Sequence, residues 1–167
     1  MDKNEYLIAR IGHLNLGVYC RDVENVYNDN IRLYRLFDQG GFFLGLTVLN
    51  NQVMQVLDLR RRIGMSEREK SDLMTLISFN TGAKNQLAVV VDEIVGMKRV
   101  TQDCIQKNNK LLGNRKDNID LLFPMVAIMP NSVESPSNNH DLIHLLDSTY
   151  LEKHQPILED AGELELF

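Results

Sequence analysis

The chain has 167 residues, 44% hydrophobic and 25% charged, which is typical of one compact domain or of two small lobes that share a core. Its formal net charge is -5 and it has no basic stripe, which argues against a nucleic-acid partner, since such proteins use lysine and arginine to displace the counterions of phosphate. No run approaches about 18 apolar residues and the first five residues are polar, so the sequence predicts a cytoplasmic protein without a membrane span or secretory signal.

Short apolar segments separated by turn residues follow one another along the chain, which indicates strands. Asn50-Asn51 tolerates positive φ and predicts a tight hairpin between two of these segments. Residues 80–85, rich in Asn and Gly, predict a second hairpin. The predicted strands cover residues 6–11, 16–19, 44–49, 52–57, 73–79, 87–91, 98–101, 121–129 and 142–146.

Helices are predicted to be few and short. Asp58 can cap one of them, with Gly64 as its stop, and either Asp147 or Ser148 can cap the last. Many short strands with Gly and Asn turns favour small β-barrels or a sandwich. Two polar stretches predict a long connector and a loop. The predicted helices cover residues 21–26, 59–63 and 149–154, and the connector and loop cover residues 104–120 and 130–141.

The sequence carries no nucleotide-binding or hydrolase motif and only two cysteines, with no spacing typical of zinc. His140 and His144 are four residues apart but straddle a predicted boundary between loop and strand, so we expect them to be surface histidines. A metal site needs three or four ligands, and the neighbours offer only Asp141 and Asp147. The sequence therefore predicts no metal and no cofactor.

Two clusters of charged residues lie close to predicted strands. Asp92 and Glu93 follow the most apolar strand, but adjacent residues on a strand point to opposite faces, so Asp92 is expected to end the strand rather than to act with Glu93 in catalysis. The run Arg60 to Arg62, with Glu67 nearby, is interpreted as a solvated face or an ion-pair surface for a protein partner. These features favour a binding module over an enzyme.

Two segments carry a resemblance to the CheW-like family of bacterial chemotaxis coupling proteins: residues 45–60 (GLTVLNNQVMQVLDLR) and residues 87–97 (LAVVVDEIVGM). Their Asp-Leu-Arg and Val-Asp-x-Val motifs are short, but they occur in the family's order and spacing. Residues 6–18, 23–26 and 142–151 are also similar to the opening strand pair, the first turn and the closing strand and helix of the family.

The resemblance implies a mainly β fold of two five-stranded SH3-like barrels around a shared core, with a few short helices. It implies a non-enzymatic adaptor without a cofactor. The implied partners are the regulatory domain of a CheA-type histidine kinase and the tip of a methyl-accepting chemoreceptor, in arrays at the inner membrane. The expected domain spans residues 1–155, and residues 156–167 form an acidic tail, either a solvated end or a segment that docks on a neighbouring molecule.

The resemblance also selects the residues expected to bind partners. The chain departs from the family pattern at two places. Val48 to Asn51 replace Asn-Leu-Arg-Gly, and Gln55 replaces proline; both changes bear on partner choice. The predicted partner-binding residues are Val23, Asn25, Val26, Val48, Asn50, Asn51, Arg60 and Arg62.

Three alternatives remain open. One is a divergent adaptor that has lost one partner and acts as an array cap or decoy. Another is an enzyme or ligand-binding barrel outside the family, which requires a pocket with converging polar groups. The third is a nucleic-acid-binding SH3-like barrel, against which the acidic balance argues.

Overall fold

A computed structural model describes residues 4–35, 43–60, 63–66, 73–80, 86–107, 122–129 and 141–153. Strands dominate these ranges, as predicted, and none of their helices is long and apolar enough to cross a bilayer. The acidic tail lies outside them, so its role stays a prediction. The elements are β1 Asn4–Ile11, β2 Leu14–Tyr19, β3 Val23–Asn30, β4 Phe43–Leu49, β5 Gln52–Leu57, β6 Leu73–Phe79, β7 Gln86–Val91, β8 Glu93–Val100, β9 Ile105–Lys107, β10 Met125–Met129, β11 Asp141–Leu145 and α1 Ser148–Lys153, with 3-10 turns at Cys20–Asp22 and Gln102–Cys104.

Barrel 1 contains the strands in the order β8-β1-β2-β11-β10-β9, with β2 and β11 parallel and the other pairs antiparallel. Its two edge strands, β8 and β9, are consecutive along the chain and are joined through the turn Gln102–Cys104. One stretch of chain therefore supplies both edge strands of the sheet. The sheet counts six strands rather than the expected five because this turn divides that stretch in two.

Barrel 2 contains the strands in the order β3-β6-β7-β5-β4, with β5 and β7 parallel. The chain that continues from β3 crosses to the opposite edge, where Tyr34 pairs with Leu46 of β4. Tyr34 N donates to Leu46 O at 2.7 Å, and Leu46 N donates to Tyr34 O at 3.0 Å. The two sheets are those of the two SH3-like barrels that the resemblance implied.

The shared core lies between the barrels, and each barrel also has an apolar interior. On β7, alternate residues serve the two sides: Leu87, Val89 and Val91 face the shared core, whereas Ala88 and Val90 face the interior of barrel 2. A strand buried on both faces reads as a continuous apolar run, as predicted for this segment. The shared core consists of Ala9, Ile11, Leu16, Val18, Leu57, Leu59, Ile77, Phe79, Leu87, Val89, Val91, Leu122, Phe123, Leu146 and Leu151.

The chain crosses between the barrels at two places, because barrel 2 is inserted between β2 and β8 of barrel 1. The first crossing is the turn Cys20–Asp22, where Asn80 N donates to Asp22 O at 2.7 Å. The second is Asp92, between β7 and β8. These crossings lie near opposite ends of β1, since the turn contacts β1 across from its beginning and Asp92 contacts Gly12, which follows its end.

Several sequence-based predictions of local structure were wrong. The connector predicted over residues 104–120 contains β9, and within residues 121–129 the strand begins only at Met125. Residues 21–26 form a short 3-10 turn followed by β3, not a helical turn. The strand is hard to recognise because five of its eight residues are Glu, Asn or Asp, which a strand can carry when most of its length is exposed. The strand that follows the second crossing was also predicted too short: β8 begins at Glu93 rather than at residue 98.

The predicted turns and caps are largely confirmed. Asn50 and Asn51 have φ of 51° and 60°, the paired positive values of a two-residue hairpin. Asp147 Oδ1 accepts from Thr149 N at 3.0 Å and from Tyr150 N at 3.3 Å, so Asp147 rather than Ser148 caps α1. Asp58 Oδ1 accepts from Arg60 N at 3.0 Å, while part of the helix predicted to follow lies outside the described residues.

Candidate functional site

Two segments that are distant in the sequence meet at the phenol of Tyr27 on β3. Asn25 Nδ2 donates to Tyr27 Oη at 3.4 Å, and Asn50 Nδ2, from the tip of the β4–β5 hairpin, donates to the same oxygen at 3.4 Å. The closure of barrel 2 explains the approach, because it brings the β3 edge beside the hairpin. The structure thus places Asn25 and Asn50, two of the predicted partner-binding residues, around one side chain.

Exposed apolar side chains occur on the same two strands as this hydrogen-bonded group. Val26 is 43% exposed and Val48 is 54% exposed, whereas the valines of β7 are buried. The partner of Val48 across the hairpin, Val53, is exposed as well. Apolar side chains grouped on a protein surface commonly mark an interaction site, since covering them removes apolar area from water. We call Asn25, Tyr27 and Asn50, together with the exposed Val26 and Val48 of the same two strands, the Tyr27 patch; on β3, Val26 points to the face opposite that of Asn25 and Tyr27.

Val23 and Asn51 flank the Tyr27 patch in different ways. Val23 lies opposite Phe79 and packs against the shared core while keeping part of its surface exposed. Val26 lies opposite Ile77, another residue of the shared core. Val23 and Val26 therefore lie along the margin of the shared core, beginning at the first crossing. Asn51 is exposed at the hairpin tip.

Barrel 1 contributes to the same margin. Met97 on β8 is well exposed and lies opposite Leu7 on β1, which packs against the shared core. The main chain of Leu7 hydrogen-bonds the thiol of Cys20, in the crossing that leads to Val23. Desolvation is the largest effect on that thiol and, with the nearby Glu5 carboxylate, raises its pKa. Apolar side chains of both barrels thus border the first crossing.

Arg60 lies apart from the Tyr27 patch. Its guanidinium donates from Nη2 to Asp92 Oδ2 at 2.6 Å, and this hydrogen bond raises the pKa of Arg60, a change that its partial burial opposes. The pair sits at the second crossing. Arg62, the other predicted arginine, lies outside the described residues.

The sequence predicts a surface position for His144, but in the structure this residue is half-buried. Its ring meets the edge of Phe123 with centroids 5.8 Å apart, and its buried Nδ1 has no hydrogen-bond partner among the described residues. Burial lowers the pKa of His144, which a hydrogen bond to the main chain of Asn15 partly offsets. His140 lies outside the described residues, and within those ranges no group of three or more potential metal ligands occurs.

Protonation of His144 should link stability to pH. Because folding lowers its pKa below the ordinary value of about 6.5, the unfolded chain binds the proton more tightly. This contribution to the free energy of unfolding is complete above about pH 6.5 and is lost as the pH falls through that value. We expect the melting temperature to drop more between about pH 7.5 and about pH 5.5 for the wild type than for His144→Leu. His13→Leu, at an exposed histidine, is the control, and equal profiles for wild type and His144→Leu would contradict the expectation.

Sequence reasoning missed Tyr27 and Met97. Tyr27 stands in a strand too polar to be recognised, although an aromatic residue among Asn and Asp is itself a signal of partial burial. Met97 belongs to the part of β8 that lies outside the predicted strand. Once β8 is known, its alternation of inward and outward residues identifies Met97 as part of the exposed face.

Comparisons with known proteins agree with this architecture. The structure is similar to the crystal structure of the scaffolding protein TtCheW from Thermoanaerobacter tengcongensis, with a TM-score of 0.67 and 14% identity over 87% of this chain and 89% of that chain. No curated protein sequence matches the chain. The sequence profile of the CheW-like domain matches residues 5–122, well over half of the length. The chain belongs to the CheW-like domain family.

Proposed function

We propose that this protein is a non-enzymatic adaptor that couples chemoreceptors to a CheA-type histidine kinase in a bacterial chemosensory array. Membership in a family of scaffold proteins supports a coupling role in chemotaxis. The observation that carries the proposal is the Tyr27 patch, an Asn–Tyr–Asn hydrogen-bonded group with exposed valines on the same two strands, one of which, Val26, pairs with Ile77 of the shared core.

The proposed receptor contact is a helix that lies along this margin. A helix presents apolar side chains at intervals of three and four residues, which suits an apolar strip flanked by polar groups. Val23, Val26 and Val48 would contact these side chains, and the amides of Asn25 and Asn50 would contact polar groups at the edge. Because Tyr27 accepts from both amides, their donors are already oriented, which reduces the entropy lost on binding.

The proposed kinase contact is made between barrels, with the regulatory domain of the kinase. Asn51 at the hairpin tip and Arg62 after β5 are its candidates, the latter from its sequence position. The proposed location is the cytoplasm, with recruitment to receptor arrays at the inner membrane and no cofactor. The net charge of -5 makes nucleic acid a poor partner.

Val26→Glu tests the receptor contact. We expect it to weaken binding of a receptor-tip helical hairpin by about 2 kcal/mol, close to 30-fold, because the charge would be desolvated in the interface. The melting temperature and binding of the kinase regulatory domain should stay near wild-type values, since Val26 is exposed. Calorimetric titrations of both partners would measure the effect.

The matched control is Val95→Glu, at an exposed valine of β8 in barrel 1. Wild-type receptor binding by Val26→Glu, or equal losses in the two variants, would argue against the Tyr27 patch. Val23→Glu is less informative, because Val23 packs against the shared core and its substitution should weaken the fold as well.

A second candidate is an adaptor that has kept only one partner. It is favoured by Asn50-Asn51, which replace the Arg-Gly pair usual in the family and form the exposed hairpin tip. This candidate predicts that the wild type binds the kinase regulatory domain but not the receptor hairpin.

A further inference from the structure

The carboxylate of Asp92 joins the two barrels at the second crossing. Asp92 Oδ2 accepts from Gly12 N of barrel 1 at 2.6 Å and from Arg60 Nη2, which follows β5 of barrel 2, also at 2.6 Å. The main chain takes part, because Asp92 N donates to Arg10 O at 2.8 Å. One carboxylate oxygen therefore bridges a turn of barrel 1 and a side chain of barrel 2.

The segment after β5, which carries Arg60, also packs over the β1–β2 turn at Gly12. Met65 N donates to Arg60 O at 2.9 Å, and a side chain added at Gly12 would place its Cβ 3.1 Å from Met65 Sδ. Gly12 has φ of +59°, so both its conformation and its neighbour favour glycine. Arg60 and Met65 thus hold barrel 2's segment against the β1–β2 turn at two adjacent points.

The environment of this ion pair makes it stronger than the exposed pairs of barrel 1. The side chains of Arg60 and Asp92 are 16% and 30% exposed, compared with 63% and 43% for Arg99 and Glu5. Exposed pairs contribute little because solvent and salt screen them, whereas a partly buried pair with a further main-chain hydrogen bond is screened less. The sequence had suggested Arg60 as a partner-binding residue, but its guanidinium is already engaged inside the molecule.

We propose that Asp92 and Arg60 form an inter-barrel clasp that fixes the orientation of one barrel relative to the other. Asp92 and Arg60 are positioning residues. The crossing at Cys20–Asp22 acts as the hinge, and the clasp holds the barrels together at the second crossing, near the other end of β1. The margin of the shared core has Met97 and Leu7 on one side and Val23 and Val26 on the other. The distance between these two sides is kept only while the Asp92–Arg60 pair is formed. The effect on a receptor helix rests on the proposed function; the orientation itself does not.

The test measures inter-barrel distance directly. With Cys20 and Cys104 replaced by alanine, spin labels at Gln106→Cys in barrel 1 and Gln52→Cys in barrel 2, both exposed, report the distance distribution by pulsed electron resonance. We expect the distribution to broaden or shift in Asp92→Asn and in Arg60→Gln. The control Arg99→Gln breaks an ion pair within barrel 1 alone and should leave the distribution unchanged.

Binding provides the second readout. Asp92→Asn and Arg60→Gln should each weaken receptor-hairpin binding about tenfold, the scale of a coupling between sites, and leave kinase-domain binding within about twofold. The double variant should lose no more than Asp92→Asn alone, because both substitutions remove the same ion pair. Arg60→Lys, which keeps the charge but not the fork of donors, should recover part of the loss.

Unchanged distance distributions in both Asp92→Asn and Arg60→Gln would overturn the clasp. If Asp92→Asn fails to fold, Arg60→Gln decides alone, because it leaves the bond from Gly12 to Asp92 in place. A wild type that binds neither partner would overturn the proposed adaptor function, and the distance measurement would still decide on the clasp.

Discussion

Val90→Asp is expected to abolish folding. Val90 is 3% exposed and faces the interior of barrel 2, where it is grouped with the buried side chains of Met54, Met74 and Leu76. An aspartate there would be an unpaired buried charge, which costs on the order of 3–5 kcal/mol, comparable to the whole stability of a marginal domain. Far-UV circular dichroism and solubility at 25 °C, roughly the reference temperature for such energies, would show the loss.

The control for this substitution is Val95→Asp, which places the same charge on an exposed position of β8 and should cost less than about 0.5 kcal/mol. A soluble Val90→Asp protein with wild-type dichroism would show that β7 is not the central strand of barrel 2.

Phe123→Ala is expected to destabilise both barrels together. Phe123 is fully buried in the shared core and contacts the ring of His144 on β11. Truncation of a buried phenylalanine costs about 3–5 kcal/mol through lost transfer energy and the cavity left behind. Because the same core covers residues of both barrels, urea denaturation should remain a single transition at a lower midpoint.

Leu142→Ala is the matched control, since Leu142 lies on β11 but is exposed, and it should shift the midpoint only slightly. Two separate urea transitions in Phe123→Ala or in the wild type would contradict a core that the barrels share.

The sequence predicts the buried strands well and the exposed ones poorly. The predicted bounds of β6, residues 73–79, match the structure, and those of β7 differ by one residue. These strands are apolar and end at Asn or Asp, so local pattern is sufficient. In β3 the polar residues hide the period of two, and tertiary pairing with β6 decides the conformation.

Closure of the barrels depends on contacts that no local pattern contains. The bridge between Tyr34 and Leu46 joins β4 to a segment not recognisable as a strand, and β9 is only three residues long. The turn at Asn50-Asn51, in contrast, was predictable, because a two-residue hairpin requires positive φ and asparagine tolerates it.

The candidate site was predictable only in part. The resemblance selected Asn25 and Asn50, whose amides the structure places at the phenol of Tyr27, but not Tyr27 itself. The same reasoning assigned Arg60 to a partner surface, whereas the structure pairs it with Asp92, 32 positions away. Sequence spacing cannot reveal that pairing, because it arises where the inserted barrel returns to barrel 1.

We expect one molecule of this protein to bind a receptor tip and a kinase at the same time. The most direct measurement is calorimetric titration of the receptor-tip helical hairpin into the protein alone and into the protein saturated with a CheA-type regulatory domain. We expect binding of one hairpin per molecule in both titrations, and a ternary complex in sedimentation that Val26→Glu weakens. Loss of hairpin binding once the kinase domain is bound, or absence of binding to either partner, would contradict it.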